Sequence, residues 1–116
     1  MECNTTIQYQ CNDKERQGSI DNLLSSLFDA KTDLSERKAT FNTALQENDQ
    51  LSGQSMDDFS TVAEVASYGS SLEKRKTGFS AFYFLLSYNA DDFCEEIKSI
   101  LKAFGADKLK CQKEWV

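Results

Sequence analysis

Phe79-Ser80-Ala81-Phe82-Tyr83-Phe84-Leu85-Leu86-Ser87-Tyr88 is the most hydrophobic run of the chain, and its reading as helix or strand decides the fold. On a helical period Phe79, Phe82, Tyr83 and Leu86 share a face, while Phe84 and Leu85 lie elsewhere around the turn. A helix apolar on most sides belongs at the centre of a domain. Phe82 to Tyr88 also suits a strand, but a strand needs partners, and no second convincing one stands out. The run therefore reads as a central helix, and the chain as all-α with essentially no sheet.

Downstream, Asn89 or Asp91 is placed to cap an amphipathic helix whose stripe is Phe93, Cys94, Ile97, Ile100, Leu101 and Phe104. Its acids, Asp91, Asp92, Glu95 and Glu96, come first and Lys98 and Lys102 later, which matches the helix dipole. Gly105 suits the position just past its end. In the tail, Leu109, Cys111 and Trp115 are docking points. Phe82, Leu86, Phe93, Ile97, Ile100 and Leu101 are the expected heart of the core.

Upstream, Glu73-Lys74-Arg75-Lys76 reads as a solvated basic turn, and Gly69-Ser70-Ser71 as a helix end or kink. Ser55 can cap a helix carrying Met56, Phe59, Val62, Ala63 and Ala66, with Asp57 and Asp58 in its first turn. Residues 47–54 are a loop by composition. Before it, Ser19 caps a stripe of Ile20, Leu23, Leu24, Leu27 and Phe28, resumed by Leu34, Phe41, Ala44 and Leu45. Ile20, Leu27, Leu34 and Phe41 keep a seven-residue spacing, but Arg37 interrupts the companion row, so a bundle is expected rather than a supercoil. Asp33 with Glu36 resembles a capping box and marks a break. Residues 1–17 are polar and irregular, although Ile7, Tyr9 and Cys11 alternate as in a short extended segment. The expectation is a small antiparallel bundle of four to five helices over residues 18–116, a single helical domain behind an irregular segment 1–17.

Composition narrows the chemistry. The 116 residues hold no His and no Pro, 13 basic and 19 acidic side chains, and a formal charge of −6. Without His no Ser-His-Asp or Cys-His arrangement exists within the chain. There is no phosphate-binding glycine loop, dinucleotide fingerprint or EF-hand. The acid surplus opposes nucleic acid and anionic membranes and favours a basic protein partner. No apolar run is long enough to span a bilayer, and Met1-Glu2-Cys3 lacks the basic and apolar regions of a secretory leader, so the expectation is either a cytosolic chain or a mature fragment given a starting Met.

Cys3, Cys11, Cys94 and Cys111 have no metal-binding spacing, and four cysteines allow three pairings. Reduced thiols in the cytoplasm are the expectation. The alternative is a periplasmic or secreted chain stapled by two disulfides and carrying an apolar ligand among its aromatics. Asn4-Thr5-Thr6 matches the glycosylation acceptor pattern.

Three adjacent acidic pairs remain: Asp57-Asp58, Asp91-Asp92 and Glu95-Glu96. Neighbours on a helix point about 100° apart, so no pair converges on a substrate by itself. Asp92 and Glu96 share a face and could hold a divalent ion, yet complementing a helix N-terminus explains them as well. No metal, no cofactor and no enzymatic activity are expected. The functional expectation is a non-enzymatic acidic protein that inhibits or masks a protein partner, contacting it through Asp57, Asp58, Asp91, Asp92, Glu95 and Glu96. Small acidic bundles of this kind occur among immunity proteins and phage-encoded inhibitors, an analogy of fold alone. Surplus aromatic surface also leaves room for a homodimer.

Overall fold

Burial alternates along Cys3–Tyr9: Cys3, Thr5, Ile7 and Tyr9 are buried, Asn4 is exposed, and Thr6 and Gln8 are half-buried. A period of two is the mark of a strand with one covered face. This segment is β1 of a computed structural model that describes residues 3–29, 31–68, 73–76, 80–86 and 90–115. With β2 (Glu73–Lys76), β3 (Ser80–Leu86) and β4 (Lys110–Trp115) it builds a four-stranded antiparallel sheet in the order β2-β3-β1-β4. β1 is central, with Ile7 in register with Phe82 on β3 and with Cys111 on β4.

The all-α expectation is thereby overturned. The hydrophobic run is a strand over Ser80–Leu86, and its flanks Phe79 and Tyr88 lie outside the described residues. Its missing partner is the N-terminal segment, which was expected to be irregular. The basic stretch Glu73–Lys76 is no turn but an edge strand paired with β3. The antiparallel bundle and the analogy to immunity proteins and phage inhibitors fall with it.

Among the described residues four α-helices complete the fold: α1 (Lys14–Leu27), α2 (Leu34–Glu47), α3 (Ser60–Tyr68) and α4 (Ala90–Ala103). α1 begins at Lys14, ahead of Ser19, because Asp13 accepts a hydrogen bond from Glu15 N at 2.9 Å. Asp33 stands at the start of α2 as expected, although its side chain makes no cap bond. Ser55 opens a short 3-10 turn, Met56–Asp58, ahead of α3. Gly105 ends α4 at φ 98°, a conformation L side chains rarely adopt.

β1 lies between β3 and β4, and β3 between β1 and β2, so both crossovers straddle a strand. This is the split β-α-β pattern of the ferredoxin-like plan, with α1, α2 and α3 in the first connection and α4 in the second. The helices cover the face that carries Cys3, Thr5, Ile7 and Tyr9. Tyr9 Oη donates to the buried Asp21 of α1, and α4 lies over β1 and β4. Phe28 meets Phe93 edge-on at 6.2 Å between ring centroids. Phe93, Ile97, Ile100 and Leu101 are buried as expected, while the burial of Phe82 and Leu86, expected beside them, lies outside what the structure describes.

Arg37 explains the interrupted helical row. It is buried, and its guanidinium donates to Thr32 O at 3.0 Å, Leu27 O at 3.1 Å and Ala66 O at 3.0 Å. One cation thus satisfies carbonyls near the C-terminal ends of α1 and α3, where the helix dipole is negative. Beside it Asp29 accepts from Lys31 N at 3.0 Å and Thr32 Oγ1 at 3.1 Å. The Lys31 backbone bond, then the Thr32 bond, hold its carboxyl below the usual range.

Candidate functional site

α4 carries four of the 19 acidic side chains. Phe93, Cys94, Ile97, Ile100 and Leu101 anchor one face in the core, which leaves Asp91, Asp92 and Glu95 exposed and Glu96 half-buried. Glu96 reaches the start of α3, where its carboxylate accepts from Thr61 N at 3.0 Å and Val62 N at 3.1 Å. Those are among the first N–H groups of that helix, which have no partner within it. Glu96 is therefore an N-terminal cap supplied by another helix. Asp58 likewise accepts from Ser55 N at 2.8 Å, within the turn that precedes α3.

Asp58, Glu95 and Glu96 line one open surface depression of about 440 Å3 with Leu51, Gly53, Gln54, Phe59 and Ser99. The fold thus gathers three of the six expected contact acids. Asp57 is exposed in the same 3-10 turn, and Asp92 is exposed one turn before Glu96 on α4. Asp91 stands apart, in an ion pair with Lys113 of β4. Sequence reasoning grouped the acids by adjacency and missed the capping by Glu96, because the N–H groups it serves lie 34 and 35 residues away.

A larger groove, about 770 Å3, runs between α1, α2 and the end of α4. Leu23, Ala44 and Phe104 line it beside Arg16, Glu47 and Asp49, so its charge is mixed. Size alone does not identify a binding site. The smaller depression, in contrast to this groove, concentrates a single sign of charge.

The cysteines divide into two classes. Cys94 and Cys111 form a disulfide, with Cα atoms 6.0 Å apart, that ties α4 to β4. Cys3 and Cys11 are buried and free. They cannot pair with each other: at about 3.3 Å per residue of strand, β1 alone holds them far beyond bridging distance. Both expectations are corrected: the four thiols are not all reduced, and one disulfide forms instead of two. Burial pushes the Cys11 thiol up, and Asp107 adds to this, against a smaller opposing effect from Arg16. Such a thiol is a poor nucleophile.

Among the described residues no three Cys, Asp or Glu side chains converge as metal ligands. No described helix is long and apolar enough to cross a membrane. Comparison with protein-family models, with curated proteins and with solved structures finds no match to this chain.

Proposed function

We propose that this chain is a non-enzymatic binding protein that engages a basic surface of a protein partner, with the depression between the 3-10 turn and α4 as its contact. The observation that carries this reading is the convergence of Asp58, Glu95 and Glu96, from elements far apart in sequence, beside Leu51 and Phe59. A Lys or Arg side chain entering there meets carboxylates at its head and apolar carbon along its stem. The division of labour among the acids supports this. Asp58 and Glu96 each spend part of their accepting capacity on backbone N–H groups, which fixes their position, while Glu95 is exposed. The surplus of acid over the whole chain adds long-range attraction to a basic partner. The Cys94–Cys111 disulfide favours an oxidising location over the cytoplasm.

The test is capture from the native source on immobilised protein, at low salt and again at high salt. The reading expects one stoichiometric protein with a basic surface, released by salt and not captured by Glu95→Lys. A partner that stays bound in high salt and binds Glu95→Lys equally well overturns the assignment of this surface.

A further inference from the structure

We infer that Asn4 is an N-glycosylation site, and that its glycan stands on the sheet face that the helices leave open. Asn4-Thr5-Thr6 is the only Asn-x-Ser/Thr triplet in the 116 residues, and its middle residue is not Pro. A glycan is bulky and hydrated, so an acceptor is compatible with folding only if the finished structure leaves it in solvent. β1 meets that condition by its alternation. Thr5 is 1% exposed and packs inward, while Asn4 is exposed on the opposite side and Thr6 is half-buried there. A slip of one residue would have buried the acceptor.

A second, independent observation is the Cys94–Cys111 disulfide. Stable disulfides belong to the oxidising compartments through which secreted chains pass, and N-glycans are added to chains on the same route. In the transfer, Asn4 Nδ2 forms a bond to the anomeric carbon of an oligosaccharide carried on a lipid pyrophosphate. The bond from that carbon to the phosphate oxygen breaks, Nδ2 gives up one proton, and the lipid pyrophosphate leaves. The glycan would cover the open face around Asn4, whose register neighbours are Leu85 on β3 and Glu114 on β4. The acidic depression lies among the helices, so the inference stands independently of the proposed partner.

The experiment expresses the full chain behind a cleavable leader in eukaryotic secretory cells, with a C-terminal tag that bears its own acceptor triplet. Intact mass is read on all translocated protein, before and after peptide-N-glycosidase, so the result needs no folded or secreted product. The expected outcome is two glycans on wild type and on Thr6→Ser, and one on Asn4→Gln and on Thr6→Ala. Wild-type protein that carries the tag glycan alone overturns the inference.

Discussion

At the scale of single residues, adjacent acids with the same charge have different work. Glu95 and Glu96 are neighbours, yet Glu96 caps α3 while Glu95 is exposed. Glu96→Ala is expected to cost about 0.5–2 kcal/mol, the range for loss of a helix cap. Glu95→Gln should stay within about 0.5 kcal/mol of wild type. Denaturant unfolding of the two variants checks this, and equal losses would contradict the capping role. The cysteines give a second residue-scale prediction. Unfolded without reductant, the protein should show two reactive thiols, Cys3 and Cys11, and four after reduction. Four before reduction would remove the staple. Because burial raises the Cys11 thiol in the folded state, its contribution is fully present below the ordinary thiol value of about 8.5 and is lost as pH rises through the higher folded value. Wild type should therefore lose more stability than Cys11→Ala between about pH 8 and 10.

At the scale of elements, helices were legible and strands were not, for a physical reason. α4 carries its whole signature locally: the apolar stripe, the acids at its start, Lys102 in its last turn and Gly105 beyond it. The break before α2 and the loop after it were legible in the same way. A strand is completed by a partner elsewhere in the chain, and here the partners of β3 are a polar N-terminal segment and four charged residues. The alternation of Ile7, Tyr9 and Cys11 was visible, but nothing local announced that it occupied the centre of a sheet. β4 offered still less, since most of its residues are exposed. Substitution of Ile97 does not separate the two folds, because it is buried in both. Ile7 does: it is fully buried, and Ile7→Ala should cost about 2–5 kcal/mol. Native-state hydrogen exchange offers the companion check. β1 amides, with strands on both sides, should be among the slowest to exchange, whereas an irregular N-terminal segment would exchange almost freely.

At the scale of the whole molecule, a sheet with helices on one side holds the acids in place, and the proposed contact surface rests on that scaffold. Asp58, Glu95 and Glu96 meet only because α3 and its preceding turn pack against α4, an arrangement invisible to a reading by adjacency. The net charge of −6 was legible, and it predicts attraction to a basic partner that fades as salt screens it. The contact proposed here is this gathered acidic surface. Its most direct test is the association rate of the captured partner, measured across a salt series for wild type, Asp57→Lys and Glu95→Lys, with unfolding curves taken in parallel. Unchanged stability is expected, with slower association and a flatter salt dependence in both variants. Association rates indifferent to both charge reversals would contradict it.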